Sequence, residues 1–247
     1  MTEKKQGKRS NEAAEQTKCQ ILMVAATMFG ELGYERVSLR NISEKAGVSH
    51  SLIRHHFGSK DMIWKAICDA CDKHMQAYLH AIIASLPTDK TPSYRIYLFI
   101  TKLSAFTLMN PQPIKMIADA IRQDDNALLE YFLKTKCEFE AIFRDLFEEY
   151  NQVNPESKLD IWETKWQMLI FSHGASSLTP MMSETWPQFA NNQEKLLLQH
   201  WNLFNQIMAA KFSITKEQML CPTELNELLI DVQCPLEQDI TSSEVIE

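Results

Sequence analysis

"AGVSHSLIRHHFGSK", residues 46–60, is the stretch on which the fold turns. Positions 49–56 hold two serines, an arginine and three of the chain's seven histidines, and no carboxylate falls anywhere in the stretch. Just upstream, Ser38 is a good N-cap for a short helix that buries Leu39, Ile42 and Ala46, and Gly47 ends that helix. Ser49 caps another helix almost at once. Two short helices joined by a three-residue turn holding glycine make a helix-turn-helix. The spacing fits: small Ser43 lets the helices approach, Gly47 allows the turn, and Ile53 fills the angle between them. At about 100° per residue, His50, Ser51, Arg54 and His55 share one face of the second of these helices. Leu52 and Ile53 turn inward, and Phe57 closes the apolar side. A helix that presents only donors and cations, N-terminus leading, fits the major groove of DNA. A merely solvated helical face is the competing reading.

The rest of the chain is consistent with an all-α protein. Of 247 residues, 45% are hydrophobic and 23% charged, which is ordinary for a globular chain. Only six glycines and nine prolines break it, and β-branched runs that would mark strands are missing. Ile21, Ala25, Met28, Phe29 and Leu32 recur at helical spacing before Gly33. A long helix starts at Ser59, with Asp61 in its first turn, and keeps an apolar stripe to Pro87. Further helices are predicted at 92–109, 112–123, 125–151, 158–180 and 188–212, with boundaries good to roughly three residues. "TELNELLIDV" (223–232) suggests one more amphipathic turn or two, and the last dozen residues look disordered. The expected organisation is a basic flexible arm (1–14), a three-helix DNA-binding domain (15–75), a larger helical ligand-binding and dimerisation domain (76–212) and an acidic tail (213–247).

Charge is unevenly spread along this acidic chain, whose net charge is −7. Residues 1–64 hold ten Lys/Arg against seven Asp/Glu, whereas residues 213–247 hold one lysine against eight acids. A locally positive N-terminal part can still meet a polyanion. No apolar run approaches the roughly 18 residues that a membrane span needs. "MTEKKQGKRSNEAAEQ" has no apolar stretch behind it and reads as a solvated arm rather than a signal peptide. Six scattered cysteines suit reduced cytosolic thiols, and so a cytoplasmic protein.

Residues 21–65 resemble the TetR family of bacterial transcriptional regulators. The resemblance runs through Ala25, Phe29, Gly33, Tyr34, Ile42, Ala46-Gly47-Val48-Ser49, His56-Phe57 and Lys60. It implies a dimer that binds a palindromic operator, repressing until a small molecule in the C-terminal domain weakens the complex. It also assigns DNA contacts. Ser38 resembles a phosphate-contacting hydroxyl, and Arg40 stands where the family often reaches a base or the backbone. Ser49, His50 and Ser51 match base-reading positions. His55 and His56 match positions near phosphate, and Lys60 matches the phosphate lysine that opens the next helix. Two positions depart from the pattern: Arg54 stands where tyrosine is usual, and Ser51 where glycine is frequent. Arg54 keeps a phosphate donor but can also fork onto guanine.

Other constellations carry less. Cys68-x-x-Cys71 with His74 one step on could ligate zinc, but a second pair is absent and Cys71 also fits the apolar stripe. This leaves a metal- or redox-responsive sensor or interaction module, with a vestigial head, as the alternative function. His173, in "FSHGASS", reads as an interior or interface histidine. The stripe Leu197, Trp201, Phe204, Met208 reads as core or, through the resemblance, as part of a four-helix dimer interface built by 158–180 and 188–212. No catalytic set is found: HExxH, GxSxG and phosphate loops are absent, and Asp124-Asp125 and Glu148-Glu149 point to different helix faces. No enzyme activity, metal or cofactor is expected.

Overall fold

The computed structural model describes residues 3–124, 126–134 and 139–236. Among them there is no strand. The α-helices are α1 (Glu3–Leu32), α2 (Leu39–Ala46), α3 (His50–Phe57), α4 (Lys60–Ser85), α5 (Pro92–Met109), α6 (Gln112–Ala120), α7 (Ala127–Lys134), α8 (Phe139–Val153), α9 (Ile161–Ser177), α10 (Thr179–Thr185) and α11 (Gln193–Lys211). The chain divides into two compact units, one of residues 1–75, 116–136 and 232–247, the other of residues 76–115 and 137–231.

Helix boundaries follow from local chemistry. The Thr91 hydroxyl accepts from the Tyr94 N–H, and Pro92 supplies a preset φ in the first turn, so α5 begins where the sequence requires. Helix α9 begins at Ile161, where Asp160 accepts from the Glu163 N–H, and it ends at Ser177. Pro180 then sits in the first turn of α10. The predicted helix 125–151 is instead α7 and α8 on either side of 135–138. Helix α1 reaches back to Glu3, into the stretch expected as an arm; that stretch has no proline and is rich in Glu, Lys, Gln and Ala, which favour helix. The segment after α11 forms a single short 3-10 turn, Leu225–Leu228. The expected disorder of the last dozen residues falls almost wholly outside the described residues.

The first unit buries one apolar core in which Ile21, Ala25 and Phe29 of α1, Ile42 of α2, Ile53 of α3 and Ile63 of α4 are at most 1% exposed. Met116 and Ala120 of α6, Leu128 and Phe132 of α7, and Leu236 join the same core. Gly33 shows why glycine is required after α1: its φ is +82°, and a Cβ there would stand 2.7 Å from Oδ1 of Asp119. The other oxygen of that carboxylate accepts from the Tyr34 N–H at 2.7 Å.

In the second unit α5 lies against α8, α9 and α11. Its polar groups are matched inside. Tyr97 donates to Asn205 Oδ1 at 2.6 Å and accepts from the Leu220 N–H at 2.9 Å, and burial pushes its phenol up to about 12. Trp201 donates its Nε1–H to the Thr101 carbonyl at 2.9 Å. Trp201 and Phe204 are no more than 1% exposed. They pack inside their own chain, so these two residues of the stripe belong to its core, and the interface role that the resemblance implied for them does not hold.

Candidate DNA-binding site

The site is built on α2 and α3. Ser38 has extended backbone and accepts from the Asn41 N–H; Asn41 returns a bond to the Ser38 N–H, so two donors at the start of α2 are satisfied together. Gly47 takes φ 66°, ψ 26°, the left-handed cap conformation, and the chain turns into α3. Ser49 Oγ accepts from the Leu52 N–H at 3.2 Å and lies 3.0 Å from Ser51 Oγ. Ile53, fully buried, pins the inner side of α3 to the core. Gln20 of α1 reaches the last carbonyl of α2, that of Ala46, at 2.9 Å. The Ser49 hydroxyl therefore holds the helix start, and Ser49→Ala is expected to cost about 0.5–2 kcal/mol of stability in chemical denaturation.

On the outer side, Ser38, Arg40, Ser49, His50, Ser51, Arg54 and His55 are all exposed, and His56 and Lys60 are half-buried. Two of the sequence-derived cations, like the capping serines, already have protein partners. Arg40 pairs with Glu44 one turn on at 2.8 Å, an exposed pair of little energetic weight that DNA could exchange for phosphate. Lys60 donates to the Tyr34 carbonyl at 2.9 Å, with its ammonium 3.9 Å from the Tyr34 ring centre. It ties the start of α4 to the loop after α1. Arg54 extends from α3 with no acid in its own helix.

The His55 and His56 rings meet edge to face, 5.4 Å apart. Burial, then the nearby charges of His55 and Lys18, hold His56 below the ordinary histidine pKa, with Glu15 opposing them. The folded head thus prefers neutral His56. Its protonation opposes folding, so this contribution to stability is full above the ordinary pKa of about 6.5 and declines as pH falls through that value.

The cysteine motif has a structural setting. Cys68 is 3% exposed, and burial pushes the Cys71 thiol up to about 12, which keeps it protonated and unreactive at neutral pH. Cys68 is thus buried rather than surface-exposed. His74 is engaged by the Val232 carbonyl at 3.0 Å.

Five of the exposed large apolar residues lie on two helices of the second unit. Trp162, Trp166 and Ile170 of α9 are 57%, 64% and 52% exposed; Leu203 and Ile207 of α11 are 45% and 51% exposed. His173 continues the α9 stripe, exposed and hydrogen-bonded to Ser177 at 3.2 Å. The i, i+4, i+8 spacing of Trp162, Trp166 and Ile170 was visible in the sequence. Both sides of α9 and α11 are apolar, however, and periodicity does not say which side a helix buries at home.

The head and its capped, carboxylate-poor α3 define an all-α helix-turn-helix protein. Residues 21–67 match the family model for bacterial regulatory proteins of the tetR family. By this match the chain carries a head of the TetR type. It is 33% identical over 67 residues to the HTH-type transcriptional repressor Rv3405c of Mycobacterium tuberculosis and, equally, to the HTH-type transcriptional regulator Mb3439c of Mycobacterium bovis. That match covers 27% of this chain and 36% of each relative, so the chain spans about a third of the length of the curated relatives it matches. Among solved structures, FadR of Bacillus subtilis in complex with stearoyl-CoA aligns with a TM-score of 0.56 at 17% identity, over 79% of this chain and 98% of that one. The fatty acid degradation regulator FadR of Bacillus halodurans aligns with a TM-score of 0.51 at 15% identity, over 74% and 94%. At these identities the likeness is one of fold.

Proposed function

We propose that the protein is a dimeric, cytoplasmic transcriptional regulator that binds double-stranded DNA through α3 and releases it in response to a small molecule held by the second unit. The observation that carries this reading is α3 itself. Its inner side is anchored by buried Ile53, and its outer side offers Ser51, Arg54 and His55 without a carboxylate. The membership of the head in a family of regulators supports it. A repressing role has the support of the matched relative named a repressor. No helix among the described residues is long and apolar enough to cross a membrane.

Dimerisation is assigned to the exposed faces of α9 and α11. Exposed large apolar side chains in such number on two helices support an interface there, and a two-fold dimer suits a palindromic site. Ser38, Arg40, His55, His56 and Lys60 then serve the phosphates, and Ser49, His50, Ser51 and Arg54 the groove. For the effector, acyl-CoA thioesters are the first probes to try, since two structures of like fold are FadR regulators and one holds stearoyl-CoA. An effector that binds will raise the melting temperature in proportion to its saturation.

Two measurements test the contacts. Arg54→Ala should leave the melting temperature unchanged and weaken binding to DNA from upstream of the protein's own gene. If Arg54 meets phosphate, the loss is uniform across sequences and the salt slope shrinks by about 1; if it reads guanine, the loss is base-specific at roughly 1–3 kcal/mol. Unchanged affinity in the variant defeats both versions. Phosphate beside His56 should raise its depressed pKa, so binding takes up a proton and affinity rises as pH falls from about 7 toward 6. His56→Gln should flatten that dependence; an equally steep profile in the variant removes His56 from the interface.

A further inference from the structure

Between α1 and α2, the backbone of Tyr34 is held on both sides by side chains of the first unit. Its N–H donates to Oδ2 of Asp119, in the last turn of α6, at 2.7 Å. Its carbonyl accepts from the Lys60 ammonium at 2.9 Å and from the Val37 N–H at 3.3 Å. The same ammonium lies 3.9 Å from the centre of the Tyr34 ring, which packs on Phe29 with ring centres 5.6 Å apart. Gln123 donates to Asp119 Oδ2 at 3.2 Å, and Oδ1 stands so close to Gly33 that a Cβ there would lie 2.7 Å from it. The carboxylate is thus confined by the turn and braced by the glutamine.

A lysine ammonium carries three N–H donors, and the Tyr34 carbonyl takes one of them. The others are left for an anion. A free lysine also loses much rotamer freedom when a phosphate fixes it. Lys60 is already held at the Tyr34 carbonyl and over its ring, so that loss is met before DNA arrives. We propose that Asp119 is a positioning residue for DNA binding. It holds the Tyr34 N–H, which fixes the carbonyl of the same residue, and through that carbonyl it presents Lys60 to a DNA phosphate. The inference rests on the DNA-binding reading above, in which Lys60 serves a phosphate. It also has a sign of its own. An acid in a DNA-binding head repels phosphate, so its removal would ordinarily tighten binding; here removal should weaken it.

The test is a double-mutant cycle on the full chain: wild type, Asp119→Ala, Lys60→Ala and the double variant. The probe is a fluorescent random-sequence duplex, titrated by anisotropy over a salt series. Lys60→Ala should bind roughly tenfold more weakly at about 0.1 M salt, with a salt slope smaller by about 1. Asp119→Ala should lose roughly three- to tenfold with a smaller slope, and the double variant should be no weaker than Lys60→Ala. Asp119→Asn keeps an acceptor for the Tyr34 N–H and should bind within about twofold of wild type. Melting curves show which variants fold. If Asp119→Ala does not, Asp119→Leu, of similar shape but without an acceptor, replaces it in the cycle. Binding by the acceptor-free variant as tight as wild type, or tighter, overturns the proposal. So do losses that add in full in the double variant. If Lys60→Ala binds like wild type, Lys60 is no phosphate contact and the inference falls, while the reading of α3 stands. If wild type binds no duplex at low salt, the DNA-binding reading itself fails, and the inference goes with it.

Discussion

Trp166→Glu is expected to convert the protein into a folded monomer that holds its operator at least a hundredfold more weakly. Trp166 is the most exposed of the large apolar residues, at 64%, and stands between Trp162 and Ile170 on one face of α9. Removing a tryptophan anchor from the middle of an interface costs about 2–4 kcal/mol, and a carboxylate from each copy brought toward the two-fold axis adds repulsion and desolvation. A tenfold change is about 1.4 kcal/mol, so the dimer should dissociate by two to three orders of magnitude more readily. One head alone keeps only its own half of the contacts. Light scattering after size exclusion at micromolar concentration checks the first part. A variant that elutes as a dimer, or a wild-type chain that is monomeric, contradicts the assignment of α9 and α11.

Trp201→Ala should behave differently, although it lies in the stripe read from sequence as core or, through the resemblance, as interface. Trp201 is wholly buried in its own chain and donates to the Thr101 carbonyl. Truncation leaves a large cavity and an unmet partner on α5, a loss of about 3–5 kcal/mol. For a chain of this size each kcal/mol moves the melting temperature by roughly 2–4 °C, so a fall of about 6–20 °C is expected. Calorimetry of both variants separates the roles. Trp201→Ala melts early, while Trp166→Glu loses only the stability that assembly contributes. A Trp201→Ala variant that melts within about 2 °C of wild type would show that the α5–α11 core is not built on this side chain.

The two tryptophans also show where sequence reading stops. Caps were legible because they are local: Ser38, Ser49, Thr91 with Pro92, and Gly33 and Gly47 each act within one turn. The buried and exposed sides of α3 were legible because the helix is short and one side is wholly polar. Helix α11 is apolar most of the way round, and only its neighbours decide that Trp201 and Phe204 face α5 while Leu203 and Ile207 face out. Asp119 could not be found from sequence at all. Its bond to Tyr34 spans 85 positions, and nothing in "MIADA" marks it. The same holds for residues 213–236, which are held by backbone groups meeting side chains of Tyr97, Asn205, Tyr78 and His74. Such bonds leave no periodic trace. Lys60 was singled out through the family resemblance, but its hold on the Tyr34 carbonyl came only with the fold.

Footprinting on DNA from upstream of the protein's own gene tests the central claim most directly, with the full chain, Arg54→Ala and Trp166→Glu run in parallel against excess random duplex. The account predicts a single protected region of two-fold symmetric sequence, bound by an even number of chains. Protection should be lost in Trp166→Glu and weakened in Arg54→Ala, while both variants remain folded. Protection that spreads evenly over the DNA and yields to random duplex, or that survives both substitutions, would contradict it.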